Sequence, residues 1–99
     1  MICYEIGAVI VSYNPQIDKL VDQINNLLED NVFVFLYKNC NSIIPLQNSD
    51  NLEIQGGDGR NIGLARSQNI GLTFLLNMNV KFVGTFDQDS VLPKGYAKQ

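Results

Sequence analysis

The 99-residue sequence contains no histidine. That excludes His-dependent triads, His-ligated zinc and histidine general bases, so any chemistry must come from carboxylates, amides, hydroxyls, Lys, Arg or a bound metal. Cysteine is sparse: Cys3 and Cys40 stand far apart without metal-ligand spacing, and read as the reduced thiols of a cytosolic chain. No apolar run approaches the roughly 20 residues that span a bilayer. No basic stretch precedes the apolar run 4–12, so that run is not a signal peptide. The net charge is −3, with Lys and Arg scattered, which leaves no electrostatic case for nucleic acid or for a basic membrane-binding face. What remains is 45% hydrophobic and 17% charged, an ordinary globular composition, and the length permits one domain with one core.

The patterning alternates strand and helix. Residues 4–12 form a nearly continuous β-rich run, as expected of a strand buried on both faces of a parallel sheet. It ends at Ser12-Tyr13-Asn14-Pro15, where Asn14 is a predicted N-cap and Pro15 a predicted first helical residue. Ile17, Leu20, Val21, Ile24, Leu27 and Leu28 then recur at helical spacing, predicting a helix to about Glu29. Residues 32–37 read as a second strand, 38–50 as a polar loop broken by Pro45, and 52–55 as a short strand. A glycine-rich turn covers 56–63. From Gly63 to Asn77 a helix is predicted with Ala65, Asn69, Leu72 and Leu76 on one stripe, flanked by Leu64, Gln68 and Leu75. Residues 80–86 form a last strand that runs into Asp87-Gln88-Asp89. The order β-α-β-β-α-β predicts an α/β layer with a mostly parallel sheet flanked by helices. Two helices for four strands are expected to leave a sheet face and an edge with little cover, which favours pairing with another copy of the chain. Residues 93–99 contain no closing element, so the chain reads as the start of a longer protein.

Asp87 and Asp89 offer two carboxylates at a strand end, where open α/β sheets bind ligands. Hard oxygens there suit Mg²⁺ or Mn²⁺ shared with substrate phosphates, and such an ion would neutralise a diphosphate leaving group. The alternative for so short a motif is a solvated turn. Ser12, Tyr13 and Asn14 close the first strand at the same edge, either lining a nucleotide pocket or simply capping a helix. The turn 56–63 precedes a helix N-terminus but matches neither G-x-G-x-x-G nor the Walker A pattern, so it reads foremost as a turn. Asn69, on its helix's apolar stripe, is expected to be a buried amide that either pins a loop or faces a ligand. Arg60 and Arg66 read mainly as solvated.

Taken together, residues 8–15 (A-V-I-V-S-Y-N-P), 61–72 (N-I-G-L-A-R-S-Q-N-I-G-L) and 86–90 (F-D-Q-D-S) resemble the N-terminal half of family 2 glycosyltransferases, which have the GT-A fold. D-Q-D-S followed by Val91 and Pro93 looks most like the branch that uses dTDP-rhamnose. The resemblance implies a Rossmann-like GT-A half-domain over residues 1–99 that binds a nucleotide-diphosphate sugar. The whole protein would then transfer a sugar, rhamnose by the resemblance, to a glycan acceptor with a divalent cation. It would act in the cytoplasm or peripherally at the inner face of the membrane. Ser12, Tyr13 and Asn14 would lie along base and ribose; Asn61, Gly63 and Asn69 match a pocket-shaping N-x-G-x-x-x-x-x-N signature. Asp87 would approach ribose or metal, and Asp89 would be the principal metal ligand. The family's usual D-N-G-S turn after the second strand, whose Asp contacts the base, is here Lys38-Asn39-Cys40-Asn41-Ser42. Only Asn39 matches, and a lysine cannot accept the base imide N–H; Asn39 or a backbone carbonyl is the expected substitute. The family's general base and acceptor-binding elements lie in its second half, so this chain is expected to supply donor binding alone, with no catalytic residue of its own. The rival reading is a non-catalytic Rossmann-like nucleotide-binding or interaction module.

Overall fold

The computed structural model describes residues 4–13, 15–39, 41 and 43–87. In chain order the elements are β1 (Ile6–Ser12), α1 (Ile17–Glu29), β2 (Phe33–Lys38), β3 (Leu52–Gly56), α2 (Leu64–Asn77) and β4 (Phe82–Asp87). All strand pairings are parallel and the sheet order is β3-β2-β1-β4. This is the expected α/β, Rossmann-like arrangement.

β1 and β2 lie inside the sheet, and strand alternation sends their side chains into two separate cores. Ala8, Ile10, Val34 and Leu36 pack with Leu20, Ile24 and Leu27 of α1. Val9, Phe33 and Phe35 face the other way, against Leu75 of α2. Both faces are therefore covered, a correction to the expectation of an open one. The described residues of the connection 39–51 form no helix, but its buried Ile44 and half-buried Leu46 complete the core on the α1 side. The uncovered apolar surface lies in part at β4, an edge strand, where Phe82 is 66% exposed.

α1 starts at Ile17 with Gln16 as its N-cap in an extended conformation. That corrects the prediction of Asn14 as N-cap and Pro15 as first helical residue; Asn14 itself lies outside the described residues. The start at Ile17 still puts the apolar stripe on the sheet, and burial of that stripe outweighs a cap signal typically worth about 1 kcal/mol. The C-terminal end is a Schellman motif. Asn31 takes φ 62°, its N–H donates to Leu28 O, and the Val32 N–H donates to Leu27 O. Val32 and Leu27 then meet in the core.

α2 departs most from expectation. Its buried residues are Ser67, Gly71 and Leu75, whereas Ala65, Asn69 and Leu76 are exposed and Leu72 is half-buried. The predicted stripe ran along the helix's apolar side chains; the packed face runs along its small ones. Phe33 and Phe35, bulky residues of β2, fill the space beneath, with Phe74 against both at ring-centroid distances of 5.9 and 5.2 Å. The helix then sits close to the sheet where it has little side chain of its own. A Cβ on Gly71 would lie 2.7 Å from Val9 Cγ1 and 2.9 Å from Phe35 Cδ1.

This contact gives a signed prediction. In a solvent-facing helix interior, Gly→Ala gains about 1 kcal/mol in propensity. At Gly71 the methyl meets a stiff β-branched residue and a fully buried ring, and overpacking of that kind costs about 1–3 kcal/mol. Gly71→Ala is therefore expected to lower the urea unfolding free energy, and an unchanged or raised value would refute the close packing.

Candidate functional site at the carboxyl edge of the sheet

The sheet order sets the location. α1 carries the chain from β1 to β2 across one face, and α2 carries it from β3 to β4 across the other. The crossovers leave the sheet in opposite directions on either side of β1, and the crevice at such a switch point, beyond the carboxyl ends of the strands, is where open α/β sheets bind ligands. Ser12, Lys38 and Gly56 stand side by side there as register partners. On the far side of β1, Asp87 is paired with Val11.

A buried amide ties this edge together. Asn39, just after β2, is 4% exposed. Its backbone N–H donates to Ser12 O at 2.9 Å. Its side-chain Nδ2 donates to Ser67 Oγ at 2.9 Å, and its Oδ1 accepts the Ile62 N–H at 3.3 Å. The Ser67 hydroxyl has one proton, and the shortest acceptor is Gly63 O at 2.7 Å, which leaves its oxygen free to accept from Asn39. One residue thus joins the ends of β1 and β2, through its backbone N–H, to the start of α2, through its side chain. Gly63, the N-cap of α2, has φ 89°, a conformation suited to glycine, and its N–H donates to Asn61 Oδ1 at 2.9 Å.

Ser12 is the counterpoint. Its side chain is fully buried, and among the described residues its Oγ has no hydrogen-bond partner. A buried hydroxyl left unpaired costs about 1–3 kcal/mol. This one lies at the switch point of the sheet.

The chain resembles a known sugar transferase. It is 33% identical over 96 residues to the dTDP-rhamnosyl transferase RfbF of Shigella flexneri, an alignment that covers 95% of this chain and 32% of that protein. The chain thus spans about a third of the length of the curated relative it matches. No family model and no solved structure matches it.

Against this geometry the sequence-derived residues divide. Ser12, Asn39, Asn61 and Gly63 gather at the carboxyl edge, and Tyr13, 53% exposed, follows β1 directly. Asn39 is a tether, with its oxygen and one amide N–H engaged by the protein, so it is poorly suited to replace a base-reading Asp. Asn69 is exposed on α2, which corrects the expectation of a buried amide. The loop-pinning role falls instead to Asn39 and Ser67. Asp87 is the last residue of β4, but its side chain, like Asn14 and Asp89, lies outside the described residues. No group of three or more acidic or cysteine side chains that could hold a metal occurs among the described residues, and no helix among them is long and apolar enough to cross a membrane. Sequence reasoning missed Ser67. Its signal was available, since Ser67, Gly71 and Leu75 recur every four residues on one helical face.

In the loop before α2, Asp58 accepts the Arg60 N–H at 3.0 Å and pairs with the Arg60 guanidinium at 2.8 Å. The backbone hydrogen bond first, and the guanidinium second, hold its carboxyl below the usual carboxylate range. Any contribution to stability is present above that range and fades as pH falls through the lowered value. Both side chains are exposed, so salt screens the pair.

Two alanine substitutions should act in opposite directions. Asn39→Ala leaves the Ile62 N–H without this acceptor and Ser67 without its donor, and is expected to lower unfolding free energy by about 1–3 kcal/mol. Ser12→Ala removes an unpaired buried hydroxyl and is expected to leave the ligand-free chain as stable or up to about 1 kcal/mol more stable. Denaturant titration of both checks the pair; a Ser12→Ala loss above 1 kcal/mol would show that the hydroxyl already has a structural role.

Proposed function

We propose that the chain is the donor-binding half of a metal-dependent glycosyltransferase of the family 2, GT-A type. The full protein would transfer a sugar, with dTDP-rhamnose the donor suggested by the relative's name, to a glycan acceptor. The observation that carries this reading is the alignment to a dTDP-rhamnosyl transferase along nearly the whole chain. The carboxyl edge of the sheet supports it, because a nucleotide lying across β1 would meet the exposed Tyr13 ring.

In this reading the protein's part is to bind and orient. Asn39 and Ser67 hold the loop containing Asn61 and Gly63 against the sheet, so the crevice wall is in place before the donor arrives. Positioning of this kind lowers the entropic cost of reaching a reactive geometry. Asp87 and Asp89 are the residues proposed to hold Mg²⁺ or Mn²⁺, as hard carboxylate oxygens suit either ion. A bound ion would supply Lewis-acid stabilisation of the diphosphate leaving group.

Thermal unfolding with dTDP, UDP and GDP, each with and without Mn²⁺, tests this. At tenfold excess over its dissociation constant a ligand adds about 1.4 kcal/mol, a rise of roughly 5–11 °C for a domain of this size. The expected result is a rise that needs both nucleotide and metal and disappears in Asp89→Ala. A rise that ignores metal and survives Asp89→Ala would point to a nucleotide-binding module without this chemistry.

A further inference from the structure

Lys38 is the last residue of β2 and stands in the carboxyl-edge row between Ser12 and Gly56. Its side chain lies along the backbone of Gly57: a Cβ there would be 3.1 Å from Nζ and 3.2 Å from Cε. Gly57 turns over it with φ 89°, and the Gly57 N–H donates to Lys38 O at 2.9 Å. The ion pairs among the described residues are Arg60–Asp58 and Lys81–Glu5. Lys38 is thus a half-buried residue whose ammonium lies against the chain with no carboxylate at ion-pair distance among those residues. An ammonium donates three hydrogen bonds and accepts none. Its complement in a ligand is an oxygen acceptor.

Position selects which acceptor. Lys38 and Asp87 are separated by β1, two strand spacings or about 10 Å, and the lean toward Gly57 carries the ammonium further from β4. A diphosphate at the end of β4 leaves Lys38 at the nucleoside end. Asn39, the neighbouring side chain that might read a base, is engaged by Ile62 and Ser67. We infer that Lys38 reads the nucleobase by donating to a ring carbonyl oxygen, so that recognition does not use the imide N–H. The inference rests on the donor-binding reading above. It makes Lys38 a specificity residue of the site.

Calorimetric titration of the 99-residue chain with dTDP, N3-methyl-dTDP and inorganic pyrophosphate, all with Mn²⁺, tests it. Methylation at N3 removes the imide proton and leaves both carbonyls. The wild-type chain is expected to bind the two nucleotides within about twofold. Lys38→Met is expected to weaken dTDP about tenfold or more, the worth of one hydrogen bond to a charged group, and to leave pyrophosphate within about twofold. Lys38→Arg keeps a cationic donor and should keep the tolerance of N3-methylation, while Lys38→Asp should reject the methylated base. Melting temperatures of the ligand-free variants separate misfolding from lost recognition, and the two-nucleotide comparison on the wild-type chain needs no variant. A tenfold preference of the wild type for dTDP over its N3-methyl form overturns the inference. So does a Lys38→Met chain that binds dTDP normally, or one that loses pyrophosphate equally, which would move the ammonium to the phosphates. If no nucleoside diphosphate binds the wild type, the donor-site reading itself fails and this inference falls with it.

Discussion

The carboxyl edge of this sheet depends on one buried amide. Asn39 sits where β2 ends, and its hydrogen bonds reach Ser12, Ile62 and Ser67. In a low-dielectric interior each of these bonds is strong and each unmet partner is costly. The tether therefore fixes the height at which α2 begins, the path of the loop before it and the spacing of β1 and β2 at their tips. A site assembled from strand ends and loops has little else to hold its shape.

The second constraint is closeness. Ser67 and Gly71 let α2 lie directly on Val9 and Phe35, with Leu75 packed over Gly7. The aromatic residues of β2 supply the volume that α2 lacks. On the opposite face α1 carries Leu20, Ile24 and Leu27 against Ala8, Ile10, Val34 and Leu36 of β1 and β2. Each face interleaves side chains from sheet and helix, which is how a layer reaches interior packing density. The two helices are therefore not interchangeable, and α2 brings Ser67 to the Asn39 side chain at the sheet edge.

Within that frame the crevice contains two kinds of polar group. Asn39, Ser67, Asn61 and Gly63 bond to one another and build the wall. The side chains of Ser12 and Lys38, register partners on adjacent strands, have no hydrogen-bond or ion-pair partner among the described residues.

Much of this was legible in the sequence. The β-rich run at β1 and the apolar period of α1 locate those elements closely, because burial on both strand faces and on one helix stripe writes itself directly into residue type. The order of elements predicts a parallel sheet, since βαβ crossovers have few alternatives. The facing of α2 was not legible. Its leucines outnumber its small residues, and a period count rewards apolar mass, whereas the sheet beneath selects whatever fits under Phe33, Phe35 and Val9. Asn69 was misread for the same reason, and Ser67 overlooked. The sequence by itself determined which segments become strands and helices and which polar residues cluster at the strand ends, because those follow from local period and chain order. Tertiary structure alone decided which of those polar groups are consumed by the protein and which stay open, because hydrogen-bond satisfaction depends on partners 23 and 28 residues away that no local pattern encodes.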